Sequence, residues 1–175
     1  MVKRITKKEH YMKIAEQVSK RSSCYRRHIG ALIVKNDQMI STGYIGSPRK
    51  TKDCFEHGFC LRSKMEIPHG QRYELCRSVH AEQNAIINAA RSGTNLMGGD
   101  MYIYGEDPDG TAVDVFPCFI CKKMIINAGL KNVHCMNSKG NILSFRVSDW
   151  IEDWMKGDII DDKHQYGKSN GNSSD

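Results

Sequence analysis

The sequence contains no long apolar segment. No run in its 175 residues approaches the roughly 18 consecutive apolar positions that a membrane-spanning helix requires, so no such helix is expected. The first nine residues are basic and lack the apolar stretch of a secretory signal peptide. These two absences predict a cytoplasmic protein.

The composition excludes few classes of protein and is typical of a globular chain, with 39% hydrophobic and 26% charged residues. The length predicts one domain over 1–162, because 163–175 are polar, rich in Gly, Ser and Asn, and typical of disorder. The net charge of +6 suits a phosphorylated substrate or a nucleic acid, and equally an ordinary solvated basic face. No stripe of aromatic residues alternates with the basic ones, so nucleic-acid binding is not indicated.

The seven cysteines are not expected to form a disulfide framework, because the chain has no visible secretory signal. In a reducing compartment, clustered cysteines more often bind a metal or take part in catalysis. Two of them, Cys118 and Cys121, have the C-x-x-C spacing of metal ligands and follow Pro117.

The most informative pattern combines this spacing with a second motif earlier in the chain. His80 and Glu82 stand two residues apart, ahead of Cys118 and Cys121. One His and two Cys provide three zinc ligands and leave the fourth position open, as a catalytic zinc requires. Glu82 is then free to move protons for a zinc-bound water. Together the two motifs form the H-x-E…P-C-x-x-C signature of zinc-dependent nucleobase deaminases.

Each of these residues has a simpler interpretation when taken alone. His80 could be an ordinary histidine, the C-x-x-C a structural zinc ribbon, and Glu82 a first-turn helix acid. All of them occur together in the order that the catalytic signature requires, which favours the catalytic interpretation.

The hydrophobic periodicity alternates between helices and strands. A helix over 6–20 begins with a capping box of Thr6 and Glu9, and a turn at Asn36-Asp37 joins two strands into a hairpin. The remaining predicted elements are strands over 30–34, 38–44, 100–104, 131–136 and 142–147, and helices over 79–91, 118–128 and 148–155. This order predicts an α/β fold, a three-layer α/β/α sandwich with a central sheet between helices.

Both motifs lie where a predicted helix begins. At these junctions α/β sheets bind ligands, and the partial positive charge of a helix N-terminus favours the thiolate form of cysteine. The long irregular segment 45–77 precedes the first motif, and a loop of this length is expected to be functional or held by a metal.

Five segments resemble the deoxycytidylate (dCMP) deaminase family, within the cytidine deaminase superfamily. They are Ser-Cys-Tyr-Arg-Arg-His-Ile-Gly-Ala-Leu-Ile-Val at 23–34, Thr-Gly-Tyr-Ile-Gly-Ser-Pro at 42–48, His-Ala-Glu-Gln-Asn-Ala-Ile at 80–86, Pro-Cys-Phe-Ile-Cys at 117–121, and Ile-Ile-Asn-Ala-Gly at 125–129. The resemblance extends over about 22–133 and implies a cytidine-deaminase-like fold with a mixed sheet.

The resemblance also implies an activity and a set of site residues. The implied reaction is hydrolysis of dCMP to dUMP and ammonia by a zinc-bound hydroxide, with zinc on His80, Cys118 and Cys121 and with Glu82 as proton shuttle. The positions that correspond to substrate contacts in the family are Arg26, Tyr44, Ile45, Ser47, Arg49 and Ala81.

Regulation and assembly are likewise implied by the resemblance alone. Many members of the family are hexamers that dCTP activates and dTTP inhibits at a site between subunits. A homo-oligomer of this kind is therefore expected, with Mg²⁺ accompanying the nucleotide effector and without a membrane or nucleic-acid partner.

Ile45 departs from the family pattern, which has Asn in the Gly-Tyr-Asn-Gly sequence that reads Gly-Tyr-Ile-Gly here. The family Asn contacts substrate, and an isoleucine side chain can neither donate nor accept a hydrogen bond. A lost hydrogen-bonding group changes specificity because its former partner is left unpaired. This departure predicts a shifted preference, towards a modified cytosine or a different number of phosphates.

A second, structural zinc is expected from cysteines outside the C-x-x-C motif. Cys135 falls in a predicted strand with apolar neighbours and is expected in the core. The predicted ligands of the second zinc are Cys24, Cys54, Cys60 and Cys76, with His57 and His69 also available. Four such ligands would close a structural site and hold the long loop, and the alternative is a set of reduced, partly buried cysteines.

Three other functions share parts of the pattern. A nucleic-acid deaminase, such as a tRNA adenosine deaminase, has the same catalytic motif. A non-enzymatic zinc module could use the C-x-x-C alone, but it would have no need of Glu82. A deaminase of guanine or of a riboflavin precursor is the remaining neighbour.

Overall fold

The computed structural model describes residues 4–68 and 70–157. The tail over 163–175, which the sequence predicts to be disordered, lies outside the described residues. No helix in the described part of the chain is long and apolar enough to cross a membrane.

The described residues form a five-stranded mixed sheet. Its strands are β1 (His28–Lys35), β2 (Gln38–Tyr44), β3 (Asp100–Glu106), β4 (Asn132–Met136) and β5 (Ile142–Arg146). They lie in the order β2-β1-β3-β4-β5, with β3 and β4 parallel and every other pair antiparallel. The predicted mixed sheet is therefore confirmed.

The hairpin of β1 and β2 turns at Asn36 and Asp37, as predicted. Both residues have left-handed backbone conformations, with φ of 50° and 65°. Two successive residues of this kind give the tight turn whose twist matches that of the flanking strands. The Tyr11 hydroxyl donates a hydrogen bond to the Asp37 carboxylate at 2.6 Å, so the turn is also attached to the first helix.

The helices are α1 (Lys7–Ser19), α2 (Cys54–His57), α3 (Leu61–Lys64), α4 (Ala81–Arg91), α5 (Phe119–Asn127) and α6 (Val147–Lys156), with a short 3₁₀ turn at Tyr73–Leu75. The predicted capping box of α1 is confirmed: the Glu9 amide donates to Thr6 Oγ1 at 3.2 Å, and the Thr6 amide donates to the Glu9 carboxylate at 2.6 Å. The segment 45–77 contains α2, α3 and the 3₁₀ turn, and is otherwise irregular.

The helices cover both faces of the sheet. On one face, α1 buries Met12 and Ala15 against Leu32 of β1. On the other face lies the larger core, to which α4, α5 and α6 contribute and in which Ile33 and Ile103 are buried. Leu32 and Ile33 are neighbours on one strand and so face opposite layers. The three-layer α/β/α arrangement is thus confirmed.

Two glycines permit these helices to approach the hairpin closely. A Cβ atom on Gly30 would lie 2.2 Å from the Ala15 carbonyl oxygen of α1. A Cβ atom on Gly43 would lie 2.2 Å from the Ala81 carbonyl oxygen, at the beginning of α4. Both contacts are with backbone, so a larger residue would displace a helix rather than a side chain.

The Gly43→Ala substitution is expected to lower the free energy of unfolding by about 1–3 kcal/mol, because the added methyl group overlaps the first residue of α4. Gly157→Ala is the matched control, since a Cβ atom at Gly157 meets no atom within 4 Å. Its effect is expected within about 0.5 kcal/mol. Urea denaturation of both variants measures the difference, and equal stabilities would contradict the close approach.

Candidate active site

His80 and Cys118 occupy equivalent positions at the beginnings of two helices. Each is the extended residue that immediately precedes its helix, with φ and ψ of −68° and 155° for His80 and −64° and 168° for Cys118. Sequence analysis predicted that both lie inside the helices. They precede them instead, because the residue that caps a helix keeps an extended backbone. Cys121 lies in the first turn of α5.

The three predicted zinc ligands meet at one point. His80 Nδ1 lies 3.4 Å from Cys118 Sγ and 3.4 Å from Cys121 Sγ. A tetrahedral zinc with ordinary Zn–N and Zn–S bond lengths separates such a nitrogen and sulfur by about 3.5 Å. The donor set therefore fits zinc. Within residues 4–68 and 70–157, no other cluster of three or more ligand-type side chains is found with its ligand atoms within 4.8 Å of one another.

The pKa values of the two thiols are shifted in opposite directions. The hydrogen bond between them, followed by the contact with the His80 imidazole, lowers the pKa of the Cys118 thiol to about 4. The same hydrogen bond raises the pKa of the Cys121 thiol. Burial alone would lower the pKa of His80, but the hydrogen bond to Cys118 and the charge of Glu82 raise it overall. Metal binding to such a set requires deprotonated ligands and releases protons.

Glu82 is the carboxyl group of the site. Its side chain lies in the first turn of α4, and the residue is only 5% exposed. Burial raises the pKa of this carboxyl, and the neighbouring His80 opposes that change. A carboxyl group whose pKa is shifted towards neutral can both accept and donate a proton in one reaction cycle.

These groups open into a cavity of about 250 Å³. His80, Glu82 and Cys118 line it, and the ring of Tyr73 meets the His80 ring edge-on with 4.7 Å between the centroids. The segment after β3 folds back on that strand, since the Val113 amide donates to the Gly105 carbonyl at 3.1 Å. Val113 through Pro117 thereby enter the cavity wall.

Of the six predicted substrate contacts, Arg26 and Ile45 line this cavity. Arg49 instead donates a hydrogen bond to Asn88 Oδ1 at 2.6 Å, outside the cavity lining. Ala81 is fully buried. Tyr44 and Ser47 also lie outside the cavity lining. The structure thus brings two of the six to the cavity.

The four cysteines predicted to bind a second zinc also border this cavity. They are Cys24, Cys54, Cys60 and Cys76. Unlike the ligands around His80, no three of them have their sulfur atoms within 4.8 Å of one another. Cys135 is fully buried in the core, as predicted. Of the two additional histidines, His69 lies outside the described residues.

Sequence analysis did not identify Arg62, Tyr73 or Lys122, all of which line the cavity. Arg62 and Tyr73 belong to the irregular segment 45–77, which has no periodicity from which side-chain directions could be read. Lys122 follows the C-x-x-C motif directly, and its position one residue after Cys121 in the first turn of α5 was the available signal.

The fold and the three-ligand cluster define an α/β protein with a zinc site of the cytidine deaminase type. Residues 5–137 match the family described as the cytidine and deoxycytidylate deaminase zinc-binding region. The chain belongs to this family.

Several relatives support this assignment. Deoxycytidylate deaminase of Schizosaccharomyces pombe is 32% identical over 124 residues, which are 71% of this chain and 35% of that protein. Deoxycytidylate deaminase of Enterobacteria phage T4 is 32% identical over 154 residues, covering 71% of this chain and 75% of that protein. The chain thus spans about a third of the length of the fission-yeast relative.

A solved structure resembles this one in both fold and sequence. It is dCMP deaminase from the cyanophage S-TIM5 in complex with dCMP and dUMP, with a TM-score of 0.51 and 29% identity. The match covers 74% of this chain and 82% of that one.

Cys118→Ala is expected to lower the zinc content by one equivalent per chain, because a site with two of its three protein ligands binds zinc weakly. Cys135→Ala is the control, since Cys135 is an equally buried cysteine outside the cluster. Elemental analysis of the purified proteins measures both. A Cys118→Ala protein with unchanged zinc content would contradict the assigned site.

Proposed function

We propose that this protein is a zinc-dependent hydrolase that converts dCMP and water to dUMP and ammonia. The single observation that supports this most strongly is the buried Glu82 carboxyl beside the cluster of His80, Cys118 and Cys121, in one cavity. Membership of the deaminase family and the similarity to a dCMP deaminase that binds dCMP and dUMP support the same reaction.

The three ligands would hold the zinc and leave one side of it open to the cavity. A zinc ion bound in this way supplies Lewis acidity, which makes water nucleophilic at neutral pH. The first turns of α4 and α5 point their amide groups towards this region, and their partial positive charge favours the thiolate ligands.

Glu82 would move the protons of the reaction. Its carboxylate accepts a proton from the attacking water and transfers it to the ring nitrogen next to the reacting carbon. A second transfer through the same carboxyl protonates the amino group, which leaves as ammonia. Burial raises the pKa of Glu82, and this brings its proton affinity closer to that of the groups with which it exchanges protons.

The cavity walls would exclude bulk water from these transfers. Ile29, Val115 and Phe116 contribute apolar surface to the cavity wall. A dry cavity strengthens the interaction between Glu82 and the developing charge on the substrate, because few water dipoles remain to screen it.

Glu82→Gln is expected to lower the rate of ammonia release from dCMP by about 10²–10⁴-fold while zinc remains bound, since the amide keeps the shape of the side chain but cannot accept a proton. Glu152→Gln, an exposed acid on α6, is the control and should leave the rate unchanged. A Glu82→Gln enzyme that releases ammonia at the wild-type rate would contradict the proposed proton transfer.

The alternative within the same chemistry is a different deoxycytidine nucleotide, with a modified ring or another number of phosphates. Ile45 supports it, since this residue lines the cavity where the family pattern has Asn. Its backbone is fixed on both sides: the Ile45 amide donates to the Ile29 carbonyl, and the Ile45 carbonyl accepts from the Ser23 amide, each at 3.1 Å. The side chain therefore presents an apolar surface at a defined place.

Ile45→Asn is expected to change the order of substrates, with at least about a tenfold change in the ratio of kcat/KM for dCMP to that for dCTP or 5-methyl-dCMP. Ile45→Val is the control, because it retains an apolar branched side chain. The measurement is ammonia release from each nucleotide. An unchanged order of substrates in Ile45→Asn would exclude Ile45 as a specificity determinant.

A second, structural zinc on Cys24, Cys54, Cys60 and Cys76 is part of the proposal. The four side chains border one cavity, which supports a shared site, and a rearrangement of the loop would be needed to bring the sulfur atoms together. The zinc that remains in the Cys118→Ala protein measures this site. One remaining equivalent would support it, and a metal-free protein would contradict it.

The proposal also includes a cytoplasmic homo-oligomer, a hexamer, regulated by dCTP with Mg²⁺ and by dTTP. The resemblance to the family supports this assembly. Large apolar side chains are exposed along α5, β5 and α6, at Ile120, Leu143, Ile151 and Met155, and their burial between subunits would be favourable.

A further inference from the structure

Arg62 is a buried cation in the wall of the cavity. The residue is 6% exposed and belongs to α3, in the long loop before the His80 motif. Its Nη2 atom donates hydrogen bonds to the carbonyls of Pro68 at 2.9 Å and Gln71 at 2.5 Å. These two bonds hold the guanidinium group in a fixed orientation.

The guanidinium retains hydrogen-bonding capacity that the surrounding protein does not use. Arg62 Nε has no hydrogen-bond partner among the described residues. No aspartate or glutamate of the described chain forms an ion pair with Arg62. Burying a positive charge without an anion is unfavourable, and an unpaired donor adds to that cost. The arrangement is therefore suited to a ligand that brings a negative charge.

Three other cations line the cavity, and each makes its own contacts. Arg26 Nη1 donates a hydrogen bond to the Ile67 carbonyl at 3.2 Å. Arg27 forms an ion pair with Asp107. The Lys122 ammonium lies over the rings of Phe116 and Trp150, at 5.7 Å and 5.1 Å from their centroids. Arg62 and Lys122 are equally buried, at 6% exposure each, and Arg62 also lies over a ring, that of Tyr73. Arg62 differs in that its Nε is a buried donor without a hydrogen-bond partner among the described residues.

The position of Arg62 relative to the metal ligands is defined by one ring. The guanidinium carbon lies 4.8 Å from the centroid of the Tyr73 ring, and that ring lies 4.7 Å from the His80 ring. Arg62 and His80 thus both contact the Tyr73 ring in the wall of one cavity. A ligand with its reacting carbon at the ligands could extend its other end towards Arg62.

We propose that Arg62 binds the phosphate group of the substrate and makes the site select a nucleotide over the corresponding nucleoside. A phosphate accepts charge-assisted hydrogen bonds from a guanidinium, and Arg62 is already oriented by its two carbonyl partners, so little conformational freedom is lost on binding. Arg26, which lines the same cavity, supplies a second positive charge nearby. The identity of the base rests on the proposed function, whereas the anion site rests on Arg62 itself.

Three probes separate phosphate recognition from base recognition: dUMP, deoxyuridine and 2-deoxyribose 5-phosphate. Their binding to the zinc-loaded protein is measured by calorimetry, without turnover. Arg62→Gln is expected to weaken dUMP and 2-deoxyribose 5-phosphate by roughly 10- to 100-fold and to leave deoxyuridine unchanged. Arg62→Lys keeps the charge, and its affinities for dUMP and 2-deoxyribose 5-phosphate should lie between those of the wild type and those of Arg62→Gln. Arg91→Gln, an exposed arginine at the opposite end of α4 from His80, should bind all probes like the wild type.

Three results would overturn the inference. If Arg62→Gln weakens dUMP and deoxyuridine by the same factor, Arg62 holds the loop and does not read the phosphate. If wild type and Arg62→Gln bind 2-deoxyribose 5-phosphate and dUMP equally, or if neither compound binds to the wild type, there is no anion site at Arg62. Wild-type binding of 2-deoxyribose 5-phosphate without binding of dUMP would instead contradict the proposed function while supporting the anion site.

Discussion

The meeting of two helix N-termini at one end of the sheet is the constraint on which the rest of the structure depends. His80 Nδ1, just before α4, lies 3.4 Å from the sulfur of Cys118, just before α5, and 3.4 Å from the sulfur of Cys121 in the first turn of α5. The parallel pairing of β3 and β4 requires a crossover, and α5 lies in that crossover. Gly43 has no side chain, and the beginning of α4 can therefore lie close to strand β2 of the hairpin.

The chemistry of the site follows from this placement. Helix N-termini favour negative ligands, and this suits the two thiols that a zinc ion requires. Burial of Glu82 in the first turn of α4 raises its pKa, so that one carboxyl can serve in successive proton transfers. The long loop then completes the cavity with Tyr73 against the metal ligand His80 and with Arg62 against Tyr73. His80, Cys118 and Cys121 lie at the beginnings of the helices that pack on the sheet, and the loop supplies Arg62 and Tyr73 to the cavity wall.

The features that local chemistry dictates could be predicted from the sequence. The capping box at Thr6 and the turn at Asn36-Asp37 each follow from a few neighbouring residues. The convergence of His80 with the C-x-x-C motif was predicted from a signature whose two short halves lie 38 residues apart. The directions of side chains in the segment 45–77 could not be predicted, because tertiary packing alone determines them in an irregular loop. The resemblance to the family gave Arg49 as a substrate contact, whereas its side chain here donates a hydrogen bond to Asn88. The buried Arg62 was not identified.

We propose that a cytosine nucleotide is deaminated at the cluster of His80, Cys118 and Cys121, with Glu82 in the same cavity. The most direct measurement is ammonia release from dCMP by the zinc-loaded wild-type protein, before and after removal of the metal by a chelator. The account predicts equal amounts of ammonia and dUMP, loss of both on chelation, and recovery on addition of zinc. A folded protein with zinc at this cluster that releases no ammonia from dCMP, dCTP, 5-methyl-dCMP, CMP or deoxycytidine would contradict the account.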